Sequence, residues 1–200
     1  MHSQRTFLIQ MSGAPGSGKS TLAKNLARSM NGIVISHDLI KSFFLENDIP
    51  FEQSAKLTYD FQWALAKDLI EQGQTTVIAD STCNYQQTLD QGEALAQLYN
   101  YEYKYIECRV DNLDLLETRL QSRVSMRSQR ASVTSAPIDA IEARHNEDYR
   151  TVFKRWIEHP FRPASNAILV NSSTSSPEEC LAYALHQLVP STSNGTTLDL

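Results

Sequence analysis

Between Gly13 and Ser20 the chain reads Gly-Ala-Pro-Gly-Ser-Gly-Lys-Ser. The pattern G-x-x-x-x-G-K-[ST] suits one kind of chemistry, the capture of phosphate. Gly13, Gly16 and Gly18 let the backbone curl and come close to phosphate oxygens. The N–H groups of the curl, those of Ala14 and Ser17 among them, then point inward as an anion nest. Pro15 has no N–H and must take a position that does not donate. Lys19 adds a point charge toward the β- and γ-phosphates, Ser20 a hydroxyl for a divalent cation, and Thr21 the continuing helical turn. The ligand implied is a nucleoside triphosphate with its Mg²⁺, ATP above all.

Three further sets of residues carry possible chemistry. Asp38 follows the apolar run Ile33–Ser36 and His37, and Lys41 lies three residues later, on the same face of a helix starting there. A carboxylate beside the γ-phosphate can accept the proton of an attacking hydroxyl, and Lys41 can orient the acceptor. Asp38 is equally suited to capping that helix. Asp80 ends the run Thr76–Ala79, where a carboxylate can hold Mg²⁺ directly or through water. Asn84, in the turn after it, reads as a helix N-cap with Gln87 completing a capping box, and can face the acceptor as well. Arg119 and Arg123 are four residues apart on one helix face, with Arg127 and Arg130 beyond. Phosphoryl transfer needs cations near the transferring oxygens. The bland alternative is a solvated basic helix end.

These residues must be positioned by strands and helices. The expected strands are Thr6–Ser12, Ile33–Ser36, Thr75–Ala79, Tyr103–Val110 and Ala167–Val170. The expected helices are Lys19–Met30, about 38–46, about 53–72 with a stripe of Leu57, Phe61, Leu65 and Leu69, about 84–100, about 113–123, about 138–153, and a last one opened by Ser176-Pro177-Glu178-Glu179. Short apolar strands alternating with helices indicate an α/β fold, a parallel sheet covered on both faces. In such sheets the ligand lies at the carboxyl ends of the strands. The loop 13–20, His37-Asp38 and Asp80-Ser81-Thr82 should therefore meet in space. The segment Ile138–Pro163, with Arg144, His145, Tyr149, Arg150 and Trp156, either lines the acceptor side or is an amphipathic helix packed beside it.

Composition bounds the rest. The 200 residues suit one domain, expected over 1–189, with a Ser/Thr-rich mobile tail over 190–200. Eighteen basic against 23 acidic residues give a net charge of −5, which argues against a general nucleic-acid coat protein. Cys83, Cys108 and Cys180 have no metal-ligand spacing and read as reduced thiols of a cytoplasmic protein. No membrane span or signal peptide fits. The Asn-Lys-x-Asp guanine-reading motif does not occur.

Taken with GAPGSGKS (13–20), ISHDLIK (35–41), VIADSTCNY (77–85), TRLQSR (118–123) and the closing AILVNSS, the chain resembles AAA-type small P-loop kinases related to polynucleotide 5′-hydroxyl kinases and zeta-type toxin kinases. The resemblance implies a three-layer P-loop NTPase fold with a five-stranded parallel sheet in the order 2-3-1-4-5 and a helical, arginine-bearing lid over about 119–137. It implies Asp38 as general base, Lys41 (usually arginine in that family) and Asn84 on the acceptor, Ser20 and Asp80 on Mg²⁺, Arg119 near adenine and Arg123 on phosphate. Lysine at 41 loses the bidentate fork of arginine. The acceptor would be a polynucleotide 5′-hydroxyl or a small molecule. Nucleoside monophosphate kinases are a competing family, but their third strand ends in a Gly-Phe-Pro-Arg type stretch where this chain has Asp80-Ser-Thr-Cys-Asn84. An ATP-dependent switch with slow hydrolysis is the alternative outside the kinases.

Overall fold

The computed structural model describes residues 5–140 and 148–189. Phe7–Ser12 (β1) is the middle strand of five, and all six of its residues are buried. Ile33–Ser36 (β2), Thr76–Asp80 (β3), Glu102–Arg109 (β4) and Ala167–Asn171 (β5) complete the sheet. Every pairing is parallel and the order is β2-β3-β1-β4-β5, as the resemblance implied.

The alternation of β1 divides the core. Phe7, Ile9 and Met11 face Lys19–Met30 (α1) and Pro177–Leu188 (α7), packing with Leu22, Leu26, Cys180, Ala184 and Leu188. Leu8 faces the other way, with Ile35, Val77 and Ala79, onto Trp63, Ala66 and Ile70 of Phe51–Glu71 (α3) and Ala96 of Gln86–Leu98 (α4). Burying each such aliphatic side chain contributes about 1.5–3 kcal/mol. A third cluster, Ala14, Val110, Val133, Phe153 and Leu116 and Leu120 of Leu113–Gln121 (α5), packs against the phosphate loop itself. The remaining helices are His37–Glu46 (α2) and Tyr149–Glu158 (α6). Among the described residues none is long and apolar enough to cross a membrane.

Several local expectations are corrected. Asp38 does not cap α2: Ser36 does, its hydroxyl accepting from the Leu39 N–H at 3.3 Å, and this frees the Asp38 carboxylate. Asn84 does not cap α4 either. That cap is Tyr85, with no side-chain bond, and the Asn84 amide donates to Thr82 Oγ1 at 3.0 Å. In α3 the buried face is Ser54, Thr58, Gln62, Trp63, Ala66 and Ile70, while Phe61 is exposed. The expected helix over 138–153 is divided into a 3-10 turn at Ile138–Ala140 and α6, with residues 141–147, including Arg144 and His145, outside the described residues. The expected tail over 190–200 also lies outside them. After α5 the arginine-bearing segment 122–137 runs as turns and bends, not as a helix. By contrast, the capping box at Ser176 and Glu179 with Pro177 at the helix start is present as read.

Candidate active site

The loop from Gly13 to Gly18 joins the buried β1 to α1. Its three glycines have φ of 131°, 86° and 88°, a region side-chain-bearing residues rarely enter. Gly13 needs the missing Cβ for a second reason: the atom would lie 2.4 Å from the Cys108 carbonyl oxygen and 2.6 Å from Ser17 Oγ. The helix start that follows is bare. Gly18 offers no capping side chain, and no acidic residue stands in the first turn. Its first N–H groups and the positive helix end are thus available to an external anion. Lys19 is buried at this point, with Ser20 beside it. From the other edge of the sheet, Ser172 donates its hydroxyl to the Ser17 carbonyl at 2.6 Å and its N–H to the Arg109 carbonyl at 3.1 Å. Arg119 donates to the Ser172 carbonyl at 2.7 Å.

Asp80, at the end of β3, is 5% exposed. Burial pushes its carboxyl above the ordinary range, opposed by the Lys19 charge and a hydrogen bond from the Ser20 hydroxyl. Its Oδ1 is buried with no hydrogen-bond partner. An orphaned carboxylate oxygen beside a serine hydroxyl and a phosphate cradle fits a cation that takes oxygen ligands. Among the described residues no cluster of three or more His, Cys, Asp or Glu could hold a metal alone. Mg²⁺ takes one or two protein groups together with substrate phosphates, so a carboxylate with a serine hydroxyl suits its chemistry. Ser20 and Asp80 are the groups able to hold it.

Two cavities flank the cradle. One of about 360 Å³ is lined by Gly16, Gly18, Thr21, Arg119, Ser172 and Pro177. The other, of about 690 Å³, is lined by Asp38, Lys41, Tyr59, Asn84, Arg130 and Trp156, with Arg155 and His159 of the α6 end. Lys19, Ser20 and Arg123 line both. The strand-end residues therefore meet as expected, with Asp38, Lys41 and Asn84 on one side of the cradle and Arg119 on the other. Lys41 Nζ sits 3.7 Å from the centroid of the Phe51 ring. His37, buried against the Tyr59 ring and 3.4 Å from Gln62 Oε1, is pushed by burial down to about 4 and stands neutral at pH 7.

The segment 122–137 closes the larger cavity. Arg123 is half-buried, and burial lowers its pKa while the Asp38 carboxylate raises it. Its guanidinium donates to the Arg130 carbonyl at 2.9 Å. Arg130 is itself buried within 5.2–5.8 Å of the Tyr149, Phe153 and Trp156 rings and donates to the Ser135 carbonyl at 2.7 Å. Arg127 is turned away, in an ion pair with Asp139 at 2.8 Å. The surroundings of Arg130 come from α6, which spacing along the chain does not show. Ser172 was missed, although extending the strand-end rule to β5 would have found it.

The sequence matches the AAA domain family over residues 8–147. No curated protein matches it significantly. Among solved structures, a Chloroflexus aurantiacus protein provisionally assigned as a kinase superposes with a TM-score of 0.68 at 19% identity, over 92% of this chain and 97% of that one. The APS kinase of Mycobacterium tuberculosis, in complex with AMPPNP and APS, gives 0.59 at 13% identity over 93% and 99%. A gluconokinase of Sinorhizobium meliloti gives 0.56 at 13% identity over 92% and 91%. At these identities the likeness speaks for a common fold, the α/β fold of small P-loop kinases. With some two-thirds of its length inside the matched region, from β1 through the arginine-bearing segment, this chain belongs to the AAA domain family.

Proposed function

We propose that the protein is an ATP- and Mg²⁺-dependent kinase that phosphorylates a hydroxyl of a small molecule, with residues 1–189 as one catalytic domain. The observation that carries this reading is the shared wall: Lys19, Ser20 and Arg123 line both cavities, whereas Asp38 opens only into the larger. A nucleotide on one side and an acceptor on the other would meet at the cradle. The fold neighbours named for APS kinase and gluconokinase activity support it. A cavity of about 690 Å³ has the size of a small-ligand site, and the net charge of −5 disfavours a long polynucleotide.

In this reading the Gly13–Gly18 loop and Thr21 turn their N–H groups to the nucleotide phosphates, except Pro15, which has none, and Ser17, whose N–H donates to the Ala14 carbonyl at 3.1 Å; Arg119 and Ser172 border the base side. Lys19 neutralises the β- and γ-phosphates. Mg²⁺, when bound by Ser20 and Asp80, supplies charge neutralisation across those phosphates. Lys41 and Asn84 orient the acceptor. Asp38 accepts the proton of its hydroxyl as that oxygen bonds to the γ-phosphorus and the bond to the β-bridging oxygen breaks, releasing ADP. Arg123 stabilises the charge on the transferring group.

The test is transfer of labelled γ-phosphate from ATP to a panel holding gluconate, nucleosides, aminoglycosides and a 5′-hydroxyl oligonucleotide. Asp38→Asn should bind ATP with unchanged calorimetric affinity and lose roughly 10²–10⁴ in turnover. Transfer only to the oligonucleotide would replace the small-molecule acceptor by a polynucleotide end. Full activity in Asp38→Asn would remove the base from the mechanism.

A further inference from the structure

Asp38 sits in the first turn of α2, and both its main chain and its side chain are held by consecutive residues of a turn some 90 positions later. Ser128 Oγ donates to the Asp38 carbonyl at 2.9 Å, and Gln129 Nε2 donates to Asp38 Oδ2 at 2.7 Å. The turn is closed on itself by the Gln129 N–H to the Met126 carbonyl at 2.9 Å. It is docked to α2 by Ser42, whose hydroxyl accepts from the Ser128 N–H and lies 3.0 Å from Ser128 Oγ.

The Gln129 amide has no freedom to turn over. Its Oε1 accepts from the Met126 N–H at 3.1 Å. Rotating the amide by half a turn would set Oε1 against a carboxylate and Nε2 against an N–H, two repulsive contacts in place of two bonds. The turn therefore fixes a donor at Asp38 Oδ2. With Oδ2 accepting that bond, Oδ1 is the less encumbered oxygen to take a proton. The same segment carries Arg123, whose guanidinium is bound to the Arg130 carbonyl. The carboxylate and the arginine thus take their places from one stretch of chain.

We infer that Gln129 is a positioning residue for the proton transfer: it aims the Asp38 carboxylate at the acceptor hydroxyl. The inference rests on the assignment of Asp38 as the base. Gln129→Met keeps the length of the side chain and removes the donor, and Gln129→Glu sets a second carboxylate against the first. Misplacing a reacting group by about an ångström costs about a hundredfold, so Gln129→Met should lower kcat by about tenfold to a hundredfold, and Gln129→Glu by more. The KM for ATP should not change, because Gln129 lines only the acceptor-side cavity.

The deciding experiment is a double-mutant cycle of Gln129→Met with Asp38→Asn. Turnover is measured as ADP release from Mg²⁺–ATP with whichever acceptor of the panel above is used, or with water where none is. Far-UV circular dichroism and calorimetric ATP affinity report on folding. If Gln129 acts through Asp38, its substitution changes kcat in the wild-type background and not in Asp38→Asn. Independent losses that multiply, or an unchanged kcat in Gln129→Met, would overturn the inference and leave the kinase reading standing. A wild-type protein that consumes no ATP, or an Asp38→Asn variant as fast as wild type, would remove the kinase reading or the base, and this inference with it.

Discussion

Replacing Gly13 and Gly18 separately by alanine should give two different defects, although both are glycines of one motif. At both positions φ is positive, 131° and 88°, so a Cβ introduces backbone strain of about 1–2 kcal/mol. At Gly18 nothing lies within 4 Å of the added atom. At Gly13 the atom falls 2.4 Å from the carbonyl oxygen of Cys108, in a central strand that cannot yield, and overpacking of this kind costs about 1–3 kcal/mol more. The expected loss of stability in urea is then roughly 2–5 kcal/mol for Gly13→Ala and about 1–2 kcal/mol for Gly18→Ala. For a chain of this size each kcal/mol shifts Tm by about 2–4 °C. Gly18 lines the smaller cavity, so its methyl intrudes where nucleotide phosphates would approach, and its ATP affinity should fall in calorimetry despite the milder loss of stability. Equal stabilities of the two variants would refute the steric account. An unchanged ATP affinity in Gly18→Ala would show that this wall does not meet the nucleotide.

Two further outcomes follow from buried ionisable groups. Because burial lowers the folded-state pKa of His37 from 6.5 to about 4, the unfolded chain binds the extra proton first. This contribution is intact above about pH 6.5 and is lost as pH falls toward 4: about 2–3 kcal/mol by pH 4.5, seen as a falling urea midpoint. A His37→Phe variant should lack that component, and an unchanged pH dependence would dismiss His37 as its source. Glu107, 3% exposed, accepts from Arg162 Nε at 2.5 Å and from its terminal nitrogen at 2.8 Å. Arg162→Ala leaves that carboxylate only the long contacts to the Tyr105 hydroxyl at 3.4 Å and Arg109 Nε at 4.0 Å, and should cost about 2–4 kcal/mol in chemical denaturation. Adding Glu107→Gln should recover part of the loss, and no recovery would mean that Arg162 acts by packing alone.

The elements legible in the sequence are those whose chemistry is local. The glycine loop, the limits of α1 and β2 and the capping box of α7 each rest on residues within four positions of one another. The strand-end rule then brought Asp38, Asp80 and the loop together without any knowledge of contacts. α3 forms as expected and Leu65 and Leu69 of its stripe pack on the core, but Phe61 is exposed and the fully buried face is half polar. Thr58 donates to the Ser54 carbonyl at 2.6 Å, Ser54 to the Phe51 carbonyl at 2.8 Å, and Gln62 faces His37. A hydrophobic stripe is therefore only a partial guide to which side of that helix meets the sheet. Ser36 both ends β2 and caps α2, and the second role leaves the Asp38 carboxylate outside the cap.

The segment 122–137 marks the boundary between the two kinds of information. It has no hydrophobic period, and its order comes from single bonds to distant carbonyls and hydroxyls: Arg130 to Ser135, Ser128 to Ser42, Gln129 to Asp38. Spacing arguments can find groups that share one helix face, as they found Arg119 and Arg123. They cannot find a pair separated by 91 residues whose geometry depends on a turn. Gln129 is therefore invisible in the motif that contains Asp38, yet it is the donor on that carboxylate. In the proposed mechanism the base stands at the start of α2 and is aimed by an irregular stretch far from it in sequence, which has a physical consequence. Changes anywhere in residues 126–129 should reach the chemistry through the carboxylate before they reach the nucleotide, since the cradle is held by a separate bond from Ser172, whose own carbonyl is held by Arg119.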